Sequence, residues 1–327
     1  MSQILEYFWD TPVYKKTMIG FARNTKKFVR FVNMLINDSI YSMNEALTKL
    51  ASIKQTQNEM ADEASWSAMQ PRDRQRRTQE YHQYEGHARY FMNFINEVLN
   101  MVQYLSSEPE IAQIFMLPEL APRMAVMLNH FLVELVGPKC ANLKVKNMEK
   151  YHFHPIKLLG EIIATILHFA PFSAFEVAMV RDERSFNANN LHKAAKVLGG
   201  RLFETTLRPE QLLLLEKFAG RCVDAKEREA AYEADLGEVP EEFLDPITAE
   251  LMQDPVKLPS GHSVDRAVIS RHLLSDETDP FSRARCTVEM LIENPELKAQ
   301  IEEWKASRKA SIHAGASGSS ATPMDED

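Results

Sequence analysis

Cys286 follows Arg283 by three residues and Arg285 by one. Cations that close lower the pKa of a thiol, and a thiolate can carry an acyl group as a thioester. A nucleophilic thiol also needs a base and an orienting acid. No histidine paired with an acid stands beside Cys286, and a lone cysteine commonly packs as a small apolar residue, so the inert reading outweighs the covalent one. Cys140 and Cys222 fall on predicted helices or their ends and read as structural. The run HFH, His152 to His154, offers two imidazoles on one side of an extended segment, but no third ligand is near in sequence for a metal. A capping or surface role fits these histidines better. The run RDRQRR, Arg72 to Arg77, reads as a localisation or acidic-partner patch, or as a solvated basic run in a polar loop.

Bulk properties exclude other chemistries. The 327 residues carry a formal charge of -8, which argues against a nucleic-acid partner, because phosphate affinity comes from clustered Lys and Arg. Three widely spaced cysteines imply reduced thiols and no disulfide framework. No apolar run reaches 18 residues and the N-terminus lacks the pattern of a secretory signal, so no membrane partner is expected and the location is expected to be cytoplasmic and nuclear.

The elements that must position these residues are mostly helices. Eleven glycines is a low count for this length and fits a helical chain with few turns. From Phe28 to Ile53 apolar residues recur every three and four positions, as one amphipathic helix or two in tandem with a break at Asn37 to Ser39. Met60 to Thr78 is polar, holds Pro71 and reads as a loop. Tyr84, Ala88, Phe91, Ile95, Val98, Val102 and Leu105 alternate spacings of four and three, predicting a long helix with one buried face. A further stripe, Met124 to Leu135, stops at Gly137-Pro138 as helices commonly do. Helices are also predicted over Pro155 to Phe169, Phe172 to Val180, Asn189 to Leu198 and Pro209 to about Tyr232. With no strand pattern and no fixed repeat, this is an irregular, solenoid-like α-helical array.

The grammar changes at DPITAELMQDPVKLPSG, Asp245 to Gly261. Short apolar runs flank PSG as a hairpin, Asp265 can cap a helix through Leu274, and a last helix runs from Pro295 to about Ser307. Loop, hairpin, helix, loop is the layout of a RING-type domain, in which two tetrahedral zinc sites take eight Cys or His ligands. This segment offers Cys286, His262 and His272, so no metal is expected. Phe243, Leu251, Val256, Leu258, Val264, Ile269, Leu273, Leu291, Leu297 and Ile301 supply a core. Asp254, Asp265, Arg266, Asp279 and Arg283 supply charged hydrogen bonds.

The blocks DPITAELMQDPVKLPSG, VDRAVISRHL, TDPFSR and LIENPELKAQIEEW, in this order, resemble a U-box. Upstream, RFVNMLINDSIYSMNEALTKL, RMAVMLNHFLVELVGPKCANLKVKNMEKYHFHPIKLL and VRDERSFNANNLHKA resemble the helical core of the ubiquitin conjugation factors, the U-box ligases that lengthen ubiquitin chains. Members usually have a longer helical core on the N-terminal side, so the chain resembles the C-terminal portion of such a protein. The expected organisation is a helical core over residues 1–236, a zinc-free α+β U-box over 237–308 and a disordered tail over 309–327.

This resemblance implies partners and roles. Ile247 and Ala249 in a first loop, Arg271 and Leu274 on the central helix, and Pro280 in a second loop would contact a ubiquitin-conjugating enzyme. Ala249 departs from the large aromatic that some U-boxes carry, which leaves a smaller apolar contact. Arg283 would bond both the conjugating enzyme and the donor ubiquitin, while Asp254, Asp265, Arg266 and Asp279 would hold the domain together. Taken singly, Ile247 reads as a core anchor, Pro280 as a turn residue and Arg283 as a solvated or internally paired charge. The implied activity is isopeptide transfer to lysine that elongates polyubiquitin for proteasomal degradation, without a cofactor. Ubiquitin, ubiquitinated substrates and a hexameric AAA ATPase segregase are the further implied partners. The alternatives are a non-catalytic helical scaffold with an inactive U-box and a thioester-forming transferase using Cys286.

Overall fold

The computed structural model describes residue 9, residues 11–23 and residues 25–317, and of residues 25, 139 and 309–317 the backbone alone. It falls into two compact units, Met1–Ala225 and Lys226–Asp327.

In the first unit helix α1 (Pro12–Ala22) precedes α2 (Thr25–Ala61), which is continuous through Asn37 to Ser39. The Ser39 hydroxyl donates to the Leu35 carbonyl at 2.6 Å, so it is satisfied within the helix and makes no break. The expected loop at Met60 to Thr78 is also helical. Asp62 caps α3 (Glu63–Ala68) by accepting from Ser65 N at 3.2 Å, and Pro71 opens α4 (Pro71–Ser106). Proline at the first helical position loses no bond, because that N–H has no partner within the helix. The RDRQRR run therefore lies on the first turns of α4, where the Arg77 guanidinium bonds Glu59 at 2.6 Å and Glu80 at 3.2 Å.

Long α2 and α4 pack against each other along their lengths. The unit continues with α5 (Pro109–Phe115), α6 (Ala121–Val136), α7 (Pro155–Phe169), α8 (Ser173–Arg181) and α9 (Ala188–Gly199). Next, α10 (Pro209–Leu236) contains the point where the units divide. Gly137, past the end of α6, is extended (φ -75°, ψ -178°) and not left-handed, as the following Pro138 requires. A Cβ there would lie 2.2 Å from the Val133 carbonyl oxygen, so glycine serves close approach at this corner.

Buried rings link the array. Phe28 on α2 meets Phe115 on α5 at 6.1 Å between centroids, Phe115 meets Phe169 on α7 at 5.3 Å, and Phe169 meets Phe175 on α8 at 5.3 Å. Phe175 stacks on Phe218 of α10 at 5.8 Å. Each such pair adds about 0.5–1.5 kcal/mol to the area it buries. A polar pin crosses the array as well: buried Glu85 on α4 accepts from Tyr151 Oη at 2.6 Å and Lys150 Nζ at 2.5 Å. Burial raises the Glu85 pKa, but the bonds from Lys150, Tyr151 and His82 outweigh it and bring the carboxyl down to about 2.

The second unit holds a three-stranded antiparallel sheet of order β2-β1-β3, made by β1 (Pro255–Lys257), β2 (Ser263–Asp265) and β3 (Ile292–Glu293). Val256 pairs with Val264 on one side and Glu293 on the other. Helix α11 (Arg266–Ser275) follows β2, and α12 (Pro295–Ser317) follows β3. Helix α12 runs past its expected end near Ser307, through part of the expected tail, whose remaining residues 318–327 lie outside the described residues. Two apolar clusters stabilise the unit. Val256, Leu258, Val264, Ile269, Leu273 and Cys286 form one, with Leu291 against it. Phe243, Met252 and Ile301 form the other, with Val239, Leu251, Leu297 and Trp304. All ten expected core residues fall in these clusters. No described helix is long and apolar enough to cross a membrane.

Candidate functional site

Two loops of the second unit repeat one design. In Asp245-Pro-Ile-Thr-Ala, the Asp245 Oδ1 accepts from Ile247 N at 2.8 Å and Thr248 N at 2.9 Å, and its carbonyl accepts from Ala249 N at 2.7 Å. In Asp279-Pro-Phe-Ser-Arg, the Asp279 Oδ1 accepts from Phe281 N at 2.9 Å and Ser282 N at 3.2 Å, and its carbonyl accepts from Arg283 N at 2.8 Å. Each aspartate thus organises its own turn and forces the fifth residue into the left-handed region. Ala249 has φ 57° and Arg283 φ 58°. For a residue with a Cβ this conformation costs about 1–2 kcal/mol, offset here by the converging N–H bonds.

The remaining carboxylate oxygens hang both loops from the β1–β2 hairpin. Asp245 Oδ2 accepts from Asp265 N at 2.6 Å, and Asp279 Oδ2 accepts from Ser260 N at 3.0 Å. Burial pushes the Asp279 pKa up, but hydrogen bonding from Ser260, first through its side chain, and from the Phe281, Ser282 and Ser260 N–H groups prevails and holds it at about 2. Asp265 caps α11 through Ala267 N at 2.9 Å and accepts from Gln253 N and Asp254 N with its other oxygen. Asp254 in turn receives Arg266 Nε at 2.6 Å and Lys298 Nζ at 2.8 Å. Lys298, then Arg266, lower its pKa.

Of the residues expected to hold the domain, Asp254, Asp265 and Arg266 thus meet in one network, and Asp279 works apart from them in the second loop. Asp245, Lys298 and Glu293, which accepts from Arg266 at 3.2 Å, were missed. The repeated Asp-Pro dipeptide at 245 and 279 was the signal for Asp245. Ile247 is 45% exposed, so the core-anchor reading of its side chain fails. Arg271, Leu274 and Pro280 are half-buried, and Ala249 and Arg283 are exposed. The Arg283 guanidinium makes no bond to any described residue, which removes it from the charged hydrogen bonds expected to hold the domain.

Cys286 takes no part in this surface. It is fully buried in the first apolar cluster, and burial, together with the nearby Asp279 charge, raises its pKa. A buried thiol kept protonated is a poor nucleophile. Burial likewise pushes Cys222 up to about 12. The exposed His152 and His154 flank buried Phe153, and no group of three or more His, Cys, Asp or Glu arranged for a metal occurs among the described residues.

Family comparisons agree with this geometry. Residues 1–221 match the ubiquitin elongating factor core, and residues 239–310 match the U-box domain. The chain is 40% identical over 316 residues to a probable ubiquitin conjugation factor E4 of Arabidopsis thaliana, covering 95% of this chain and 30% of the relative. It is 34% identical over 320 residues to ubiquitin conjugation factor E4 A of Bos taurus, covering 94% and 29%. To the E4 ubiquitin-protein ligase UFD2 of Saccharomyces cerevisiae it is 33% identical over 308 residues, covering 93% and 32%. The chain therefore spans about a third of the length of these relatives. With its helical unit matched to the elongating factor core and its second unit to the U-box, the chain belongs to the ubiquitin conjugation factor family.

Proposed function

We propose that this chain is a U-box ubiquitin ligase that elongates polyubiquitin. The observation that carries the reading is the pair of matched loops, each fixed by one buried aspartate. They present exposed apolar Ile247 on one side and an unbonded Arg283 on the other. A ubiquitin-conjugating enzyme would seat between them, against Ile247, Ala249, Arg271, Leu274 and Pro280. Arg283 would then reach both that enzyme and the ubiquitin it carries as a thioester.

The chemistry belongs to the bound partners. A lysine amine attacks the thioester carbonyl, the C–N bond forms, the C–S bond breaks, and the amine proton leaves while the thiolate of the conjugating enzyme departs. The ligase contributes orientation, holding a flexible donor in one reactive pose, an effect worth several kcal/mol. Ubiquitin and ubiquitinated substrates are the acceptors in this reading. Proteasomal degradation, a hexameric AAA ATPase segregase as partner, and a cytoplasmic and nuclear location complete it, each supported by family resemblance.

The test separates docking from activation. Ile247→Ala removes apolar area and should weaken binding of the uncharged conjugating enzyme by about 1–3 kcal/mol. Arg283→Ala should bind that enzyme almost normally, yet discharge its ubiquitin thioester to free lysine at least roughly tenfold more slowly, about 1.4 kcal/mol of transition-state stabilisation. Discharge by the Arg283 variant at the wild-type rate, measured across a panel of conjugating enzymes, would refute the assignment.

A further inference from the structure

The second loop is fastened from inside by Asp279, and its outer side rests on an imidazole. Phe281, two residues before Arg283, is 38% exposed, and its ring lies flat on that of His262, with centroids 4.1 Å apart and planes inclined by 12°. His262 is itself tethered, because its Nδ1 and the Ser260 hydroxyl share a hydrogen bond of 3.0 Å. Ser260 N is the group that donates to Asp279 Oδ2 at 3.0 Å. The tip of the β1–β2 hairpin therefore grips the loop twice, through the carboxylate at its start and through the ring beyond it. Gly261 (φ 87°) lets the tip turn between those two contacts, with Gly261 N donating to Leu258 O at 2.8 Å and Leu258 N to His262 O at 2.9 Å.

An exposed aromatic contact of this kind is of little use to the core, since neither ring belongs to the two apolar clusters. Its place in the chain gives it another use. Arg283 adopts a backbone conformation that costs energy, and while Asp279 N donating to Ala284 O at 2.9 Å and the Thr278–Arg285 bridge close the base of the loop, its outer side at Phe281 rests on the His262 ring. We infer that His262 is a positioning residue for ubiquitin transfer: by stacking on Phe281 it holds the second loop in the conformation that presents Arg283. The inference rests on the transfer reading above and adds to it a residue that acts through the loop bearing Arg283.

The whole chain supplies the test, in two readouts. His262→Ala should slow thioester discharge by roughly three- to tenfold, the span of an aromatic pair. His262→Phe, which keeps a flat ring, should restore most of the rate. Because His262 acts through Arg283, His262→Ala should cost nothing further in an Arg283→Ala background, whereas independent effects would multiply. The second readout needs no conjugating enzyme: amide exchange at Arg283, whose N–H bonds Asp279 O, should quicken in His262→Ala and return toward wild type in His262→Phe. Unchanged Arg283 exchange in His262→Ala, or equal loss of rate in both backgrounds, would overturn the inference. A wild-type chain that discharges no thioester, while the exchange effect persists, would instead overturn the transfer reading and leave His262 as a residue that holds the loop without a part in transfer.

Discussion

The Cys286 side chain and the Arg283 guanidinium lie three residues apart, one fully buried among aliphatic side chains and one exposed without a described partner. If transfer passes directly from the conjugating enzyme, Cys286→Ser should keep the discharge rate within about twofold while losing about 1–2 kcal/mol of stability, since a hydroxyl enters an apolar cluster. A folded Cys286→Ser chain without activity, together with a reducible ubiquitin adduct on wild type, would restore the covalent reading. Glu161 on α7 shows burial acting without adequate compensation. Its pKa is raised to about 7, first by burial, with Lys157 pulling the other way from 3.8 Å. The folded-state value lies above the ordinary 4.5, so the favourable contribution is complete below about pH 4.5 and fades as pH rises through about 7. Glu161→Gln lacks that titration. Its stability relative to wild type should therefore improve by up to roughly 3 kcal/mol between pH 5 and pH 8.5, read by urea unfolding at both pH values.

Among the elements, the two Asp-Pro loops carry the predictable acid response. Asp279 is fully buried and its pKa falls from 3.8 to about 2, so the stability it lends is present above about pH 4 and lost as pH drops through about 2. A shift of that size corresponds to about 2 kcal/mol. Asp279→Ala should destabilise the U-box by roughly 1–3 kcal/mol near neutral pH, because three N–H groups lose their acceptor, and the deficit should shrink below pH 3. An equal deficit at pH 7 and pH 2.5, followed by tryptophan fluorescence, would remove the ionised carboxylate from the account. Elements with a buried apolar face were the legible ones. The stripe from Tyr84 to Leu105 is the inner face of α4, and Asp265 caps α11 as its position before Arg266 suggested. Helix α3 and the start of α4 were not legible, because their polar residues face outward and leave no periodicity, and Pro71 signals a loop as readily as a helix start. Strand β3 is two residues long and too short to alternate. Ile247 stands outside the core because Asp245 accepts from its N–H within a local turn, which the Asp-Pro dipeptide announces, whereas the bond from Asp265 N that ties the turn to the hairpin is a tertiary contact that no local pattern announces.

For the whole molecule, two units with separate cores imply two unfolding transitions. The helical unit is held by its linked rings and the Glu85 pin. The U-box has two small clusters and must draw the rest of its stability from polar contacts, as short domains generally do. In zinc-bound domains of the same layout, metal ions fix the loops. Here those loops are fixed by Asp245 and Asp279, which spend their oxygens on backbone N–H groups. A metal at either carboxylate would compete with those bonds. Excess chelator should therefore leave both transitions within about 1 °C of their untreated positions, whereas Asp279→Ala should lower only the U-box transition, by several degrees. Calorimetry of the full chain with and without chelator checks both statements at once. A chelator-induced fall in the U-box transition, accompanied by stoichiometric zinc in the purified protein, would mean that a metal holds the loops that the aspartates are here taken to hold.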